Sequence, residues 1–154
     1  MRKYGAANPK LKEVQEPMAA YLAPSTQINI LSGMSAADLG DTHLTGQALT
    51  KIQKETALSP KALADVVGVS KSKYYDLLKV EELSLKNVDA LADFATIWQK
   101  GLEAFDGNQS HLNEWLETRN ENLGGIPPID LLSTRIGRRE LEKAFYRIEH
   151  STYG

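Results

Sequence analysis

The hydrophobic and polar positions of the chain recur at helical spacing from about residue 45 onward. Leu49 and Ile52 give a first helix, predicted over 45–57, an apolar side, because residues three or four positions apart share one helix face. Farther along, apolar residues at three- and four-residue steps predict one long buried helix. These are Leu85, Val88, Leu91, Ala92, Ala95, Trp98, Leu102 and Phe105. No stretch alternates with a period of two for long enough to predict a strand.

Start and stop residues divide the pattern into separate helices. Ser59 and Pro60 are a serine N-cap followed by proline at the first helical position, and the helix they begin ends at Gly68. Ser70 caps a third helix, predicted over 71–79. The long helix begins near Ser84.

The C-terminal third contains a stiff corner between helices. Residues 106–108 end the long helix and cap another, which leads to Gly124-Gly125 and Pro127-Pro128. Adjacent glycines allow a sharp reversal, and Pro128 suits the first turn of a new helix. Ser133 or Thr134 then caps a last helix. The residues predicted to face inward on these two helices are Leu112, Trp115, Leu116, Ile136, Leu141, Ala144, Phe145 and Ile148.

Residues 1–44 are less regular. We expect this segment to be poorly ordered or to be ordered by a partner, with a short extended segment around Ile28, Ile30 and Leu31. The fold class is therefore all-α, with about seven helices. The domains are predicted at 1–44, 45–101 and 102–154.

Composition excludes several classes of protein. The formal net charge of −2 argues against indiscriminate nucleic-acid binding, and the absence of cysteine excludes disulfides and thiolate metal sites. No run approaches the roughly 18 apolar residues of a membrane span, and the N-terminal residues lack the apolar core of a secretory leader. We expect a cytoplasmic protein with no membrane contact.

Charge is distributed in blocks. Residues 51–79 carry six lysines against three acids, 103–121 five acids against one arginine, and 135–147 five cations against two acids. Such blocks suit several distinct surfaces, although each also fits a solvated helix face. The histidines His43, His111 and His150 have no metal-ligand spacing, and no phosphate-binding loop is present. We predict neither enzymatic activity nor a cofactor.

Residues 63–71 have the sequence of a helix-turn-helix corner. Small Ala64 permits close packing, Gly68 allows the tight turn, and Val69 fills the angle between the helices. The helix after such a turn offers its first residues to the major groove of DNA. The candidate DNA-binding residues are Lys71, Ser72, Lys73, Tyr74, Tyr75 and Lys79.

An alternative interpretation remains open for this corner. The same arrangement occurs as a pure packing unit, and Tyr74 or Tyr75 equally suits a core or dimer contact. Asp76 would repel phosphates, so DNA affinity is expected to be weak without dimerisation or a partner. Likewise, the cationic last helix and the polar, aromatic tail fit either a partner-binding surface or a solvated face with a frayed end.

An ordered set of residues in the C-terminal third carries a resemblance to a known family. It comprises Phe105, Trp115, Leu116, Asn120, Leu123, Gly124, Gly125, Pro128, Leu131, Leu132, Gly137, Arg147, Ile148 and Glu149. Through these residues, roughly 102–150 resemble the toxin-binding domain of Xre/MbcA/ParS-type antitoxins, the partners of RES-domain toxins, and residues 45–105 are similar to the Xre-type domain that accompanies this module. One departure is Ser151, where relatives often have glycine.

The resemblance implies an Xre-like helix-turn-helix domain followed by a small helical domain that blocks an NAD-consuming RES-type toxin. It also implies a homodimer that binds operator DNA and regulates its own operon. The candidate toxin-binding residues are Leu123, Gly124, Gly125, Pro128, Leu131, Leu132, Arg138, Arg139, Arg147, Glu149 and Tyr153. The alternatives are a stand-alone transcriptional regulator, whose last domain serves oligomerisation or another protein contact, and a structural adaptor with no DNA role.

Overall fold

The computed structural model describes residues 26–151, and within that range it is helical throughout its regular structure. Eight α-helices and two 3-10 helices follow one another, and an isolated antiparallel bridge joins Asn120 to Ile126. The α-helices are α1 (Gln27–Ser32), α2 (Ala36–Asp41), α3 (Gln47–Thr56), α4 (Pro60–Val67), α5 (Lys71–Leu77), α6 (Leu85–Ala104), α7 (Gln109–Glu117) and α8 (Arg135–His150). The 3-10 helices are Glu121–Leu123 and Pro128–Ser133. The predicted all-α class is confirmed.

The predicted helix starts are confirmed by side-chain caps. Ser59, Ser70 and Ser84 each accept a hydrogen bond from the backbone N–H three residues later. Asn108 does the same for α7, and Thr134, rather than Ser133, for α8. Such caps satisfy backbone N–H groups that have no partner inside the helix.

The long helix α6 lies at the centre of the molecule. It packs against α1 and α2 from the N-terminal side and against α7 and α8 from the C-terminal side, and it also contacts α4. One continuous cluster of buried side chains extends from Ile28 to Phe145. The predicted domain boundary between residues 101 and 102 falls inside this helix.

Residues 26–44 differ from expectation. The extended segment predicted around Ile28 and Leu31 is wrong, because these residues lie on α1 with both side chains buried in the core. The carboxylate of Glu55 accepts the backbone N–H groups of Gln27 and Ile28 at 2.8 and 2.9 Å, which holds the start of α1 on α3. The rest of the predicted N-terminal segment, residues 1–25, lies outside the described residues.

Two residues predicted to be buried are exposed. Leu85 is 60% exposed and Ile136 is 75% exposed. Each lies in the first turn of its helix, α6 or α8, where no neighbouring element covers the apolar stripe. Helical spacing identifies a stripe correctly, but it does not tell where the covering neighbour ends.

Candidate functional site

The predicted helix-turn-helix corner has the expected local geometry. Gly68 has φ of +75°, a left-handed conformation that glycine adopts without steric penalty. Its N–H donates to the carbonyl of Asp65 at 3.1 Å, and the N–H of Val69 donates to the carbonyl of Ala64 at 3.0 Å. Ala64 is fully buried, so α4 and α5 meet closely at this turn.

The first turn of α5 is open to solvent. Lys71, Ser72 and Lys73 are exposed, as are Tyr75 and, beyond the helix, Lys79. Among the described residues none of the three lysines has an ion-pair partner. These cations are therefore free to contact phosphates, as a recognition helix requires.

Tyr74 does not fit the predicted DNA-binding role. Its side chain is fully buried, and its hydroxyl donates to Oε1 of Gln53 in α3 at 2.9 Å. Burial, with a smaller contribution from neighbouring Tyr75, raises the pKa of Tyr74 to about 12. Tyr74 is a core residue that fixes α5 on α3, as the alternative interpretation of the sequence allowed.

The glycine–proline corner is closed by backbone hydrogen bonds. The N–H of Asn120 donates to the carbonyl of Ile126 at 3.1 Å, and the N–H of Gly125 donates to the carbonyl of Asn120 at 2.9 Å. Gly124 and Gly125 have φ of +84° and +79°, in the left-handed region. From outside the corner, Nη1 of Arg119 donates to the carbonyl of Gly125 at 2.9 Å.

Several predicted toxin-binding residues instead hold the fold. Pro128 and Leu132 are buried and Leu131 is half-buried, because the 3-10 helix Pro128–Ser133 packs against α4 and α8. This contact is very close, since a Cβ added to Gly137 would lie 2.3 Å from the carbonyl oxygen of Leu131. Pro128 and Leu132 have little surface to offer a partner.

Arg138, another predicted toxin-binding residue, is held by groups of the chain itself. It is only 7% exposed, its Nε donates to Oδ2 of Asp93 at 2.6 Å, and its Nη1 donates to the carbonyl of Leu132 at 2.8 Å. Arg139, beside it, pairs with the other oxygen of Asp93 and with Glu142. Both arginines are thus occupied by carboxylates of the chain itself, which weakens the prediction that they pair with a partner's acids.

The remaining candidates lie at or near the surface. Gly124, Arg147 and Glu149 are exposed, and Leu123 and Gly125 are half-buried. Within residues 26–151, Arg147 and Glu149 have no ion-pair or hydrogen-bond partner on their side chains. Tyr153, the last predicted contact, lies outside the described residues.

A groove of about 290 Å³ separates the corner from the end of α8; we call it the corner groove. Its lining includes Trp115, Asn122, Leu123, Ala144, Arg147 and Ile148. Trp115 packs between Phe105 and Phe145 in tilted ring contacts, with its ring centroid 5.7 Å from that of Phe105 and 5.4 Å from that of Phe145. This aromatic contact makes one wall of the groove rigid.

A second groove, of about 520 Å³, lies between α6 and α8; we call it the α6–α8 groove. Its lining includes Lys100, Glu103, Glu142, Lys143, Tyr146 and Glu149. Lys100 pairs with Glu142 across it. Cations and carboxylates alternate around an apolar floor, so this groove has no excess charge of either sign.

The described part of the chain contains no group of three or more His, Cys, Asp or Glu side chains that could hold a metal ion. His43 pairs with Glu82 at 2.8 Å, whereas His111 packs against Phe105 and His150 against Tyr146. Within the same part of the chain, no helix is long and apolar enough to cross a membrane.

Sequence reasoning missed the importance of Asp93. This carboxylate joins α6 to α8 through two arginines. The sequence shows an acid between Ala92 and Phe94, beside the buried stripe of α6. Nothing in the sequence indicates that this acid pairs with Arg138, which lies 45 positions away.

The fold and these surfaces define an all-helical protein with a helix-turn-helix-type corner and a second, glycine–proline corner bordered by an exposed groove. Residues 101–150 match the family model of the antitoxin Xre/MbcA/ParS C-terminal toxin-binding domain. The predicted resemblance to Xre/MbcA/ParS-type antitoxins is thereby confirmed, and the match supports an antitoxin role in a toxin–antitoxin pair. A comparison with curated proteins gave no match.

Proposed function

We propose that this protein is the antitoxin of a type II toxin–antitoxin pair and that it sterically blocks an NAD-consuming toxin of the RES type. The observation that carries the proposal is the match of residues 101–150 to the toxin-binding domain. The exposed corner and the unpaired Arg147 and Glu149 support it, because they leave one end of this segment open to a protein partner. Inhibition by occupying the toxin's substrate entrance requires no cofactor.

A second part of the proposal concerns DNA. The exposed first turn of α5, with Lys71 and Lys73 unpaired, supports weak operator binding and autoregulation by a homodimer. Burial of Tyr74 removes one predicted contact but leaves these cations in place. Two copies on one operator would double the number of phosphate contacts, which compensates for a weak single site.

Co-expression with the neighbouring gene tests the antitoxin role. Expression of that gene alone is expected to stop growth and to deplete intracellular NAD⁺, and co-expression of this chain is expected to restore both. Growth arrest without NAD⁺ loss would contradict the RES-type chemistry while preserving the antitoxin role.

The alternative is a stand-alone helix-turn-helix regulator whose C-terminal segment mediates oligomerisation or another protein contact. The exposed lysines of α5 support it independently of any toxin. If the neighbouring gene product is not toxic and forms no complex with this chain, the regulator becomes the favoured function. If DNA binding is absent as well, or does not fall as salt rises, a structural adaptor is favoured.

A further inference from the structure

The corner groove differs from the α6–α8 groove in its charge. Of the described residues that line it, Arg147 is the only charged one, and Arg147 has no partner within residues 26–151. In the α6–α8 groove Lys100 and Arg139 already pair with Glu142, and the unpaired Lys143 shares that groove with the unpaired carboxylates of Glu103 and Glu149. Among the described residues, a partner carboxylate therefore meets an unpaired cation without a competing acid only in the corner groove.

The shape of the corner groove also selects its occupant. Its volume is about 290 Å³, slightly below the lower limit of the roughly 300–1,000 Å³ of pockets that enclose drug-sized ligands. A groove of this size suits one or two protein side chains. Trp115 and Leu123 offer apolar surface, and Asn122 adds an amide at the rim. Tryptophan and arginine are the residue types that most often dominate binding energy at protein interfaces.

The groove is held in shape before any partner arrives. Trp115 is fixed between Phe105 and Phe145, and the opposite wall is fixed by the backbone hydrogen bonds that join Asn120 to Gly125 and to Ile126. A preformed groove loses little conformational entropy on binding, so more of the contact energy appears as affinity.

We propose that the corner groove is the toxin's docking site, and that the toxin segment seated in it places an apolar side chain against Trp115 and a carboxylate on the guanidinium of Arg147. This inference rests on the proposed antitoxin function. Guanidinium binds carboxylate through two parallel hydrogen bonds, which gives direction as well as affinity.

Two charge reversals on the same helix test the site. Arg147 and Lys143 are both exposed and unpaired among the described residues, and they lie one turn apart on α8, but Arg147 lines the corner groove and Lys143 the α6–α8 groove. Affinity for the purified product of the neighbouring gene is measured by titration calorimetry. Arg147→Glu is expected to weaken binding by roughly tenfold or more, and Lys143→Glu by less than about threefold.

A further variant tests the shape of the groove independently of its charge. Asn122→Trp adds bulk at the exposed rim and leaves Arg147 in place, so it is also expected to weaken binding without lowering the thermal unfolding midpoint. A photoreactive benzophenone amino acid at position 122 is expected to cross-link a toxin peptide that has an acidic residue next to an apolar one. Cross-linking to another copy of this chain would overturn the proposal.

The outcomes separate the two proposals. If the wild-type chain does not bind the neighbouring gene product, the antitoxin proposal fails, and the groove assignment fails with it. If the wild type binds and Lys143→Glu weakens binding as much as Arg147→Glu, only the groove assignment is overturned.

Discussion

Asp93 Oδ2 accepts a 2.6 Å hydrogen bond from Nε of Arg138, and this contact ties the middle of α6 to the first half of α8. The arginine is nearly buried, whereas the carboxylate side chain keeps about a quarter of its surface in contact with solvent. Arg139 takes the other carboxylate oxygen. One carboxylate therefore pairs with two neighbouring cations, and Glu142 supplies a second acid to Arg139.

Removing this acid should destabilise the protein severely. Asp93→Ala leaves the guanidinium of Arg138 buried without its counter-charge, and we expect a loss of about 3 kcal/mol in the free energy of unfolding. Urea denaturation followed by circular dichroism measures it. Asp89→Ala is the matched control, one turn earlier on α6 and exposed, and should change stability by less than about 0.5 kcal/mol. An effect of Asp93→Ala as small as that of Asp89→Ala would show that the pair between Asp93 and Arg138 adds nothing to stability.

The corner should be sensitive to backbone conformation at Gly125. A Cβ added at Gly125 would meet no atom within 4 Å, so the penalty for a larger residue comes from the φ of +79° alone. We expect Gly125→Val to destabilise the corner by about 1–3 kcal/mol and to reduce neutralisation. Gly125→Asn should be milder, because asparagine adopts left-handed angles more readily. Growth rescue in co-expression and thermal unfolding together measure both effects; identical behaviour of the two variants would contradict this reason.

Lys71 and Lys73 should set the salt dependence of operator binding. If each lysine contacts a phosphate, the double variant Lys71→Ala with Lys73→Ala binds more weakly. The plot of log affinity against log salt then becomes less steep, by nearly 2 in the magnitude of its negative slope. Gel-shift titrations at several salt concentrations measure the slope. Lys86→Ala with Lys143→Ala removes the same charge from exposed sites elsewhere and should leave the slope unchanged. Neutralisation should survive in both double variants; its loss in the first would show that the two activities depend on the same surface.

Tyr74 should make the fold sensitive to alkaline pH. Its pKa is about 12 when folded and about 10 when unfolded, so its stabilising contribution is complete below pH 10 and falls as pH rises toward 12. Between pH 9 and 11 the loss should be roughly 1 kcal/mol. Tyr74→Phe should be less stable at pH 8 by about 1 kcal/mol, since Gln53 loses its partner, and should show a shallower decline above pH 9. Tyr75→Phe, which alters an exposed ring, should keep the wild-type decline.

Local features were readable from the sequence because they depend on neighbours along the chain. Ser59 and Ser70 cap helices where predicted, and Gly68 has the left-handed φ that the tight turn requires. Such caps and turns involve residues within about four positions of each other, so composition and spacing determine them. The ends of α3 to α8 therefore lie within a few residues of prediction.

The functional assignment of individual side chains was harder to predict because it depends on distant residues. Arg138 and Arg147 both lie on the cationic helix α8. Arg138 forms an ion pair with Asp93, whereas Arg147 has no ion-pair partner among the described residues. Tyr74 and Tyr75 are adjacent, yet one is buried and the other exposed. The packing of α8 on α6 decides which arginine is paired, and the contact of α5 with α3 decides which tyrosine is buried.

The position of α6 limits how this protein could be rearranged by recombination or engineering. A fragment cut at residue 101 would keep α7 and α8 but lose Phe94, Ile97 and Trp98, which supply the core beneath them, together with Asp93. The glycine–proline corner would also lose α4, against which its 3-10 helix rests. We therefore expect that the C-terminal segment does not fold on its own. Transferring its function to another protein would require α6 and the N-terminal helices that pack against α6.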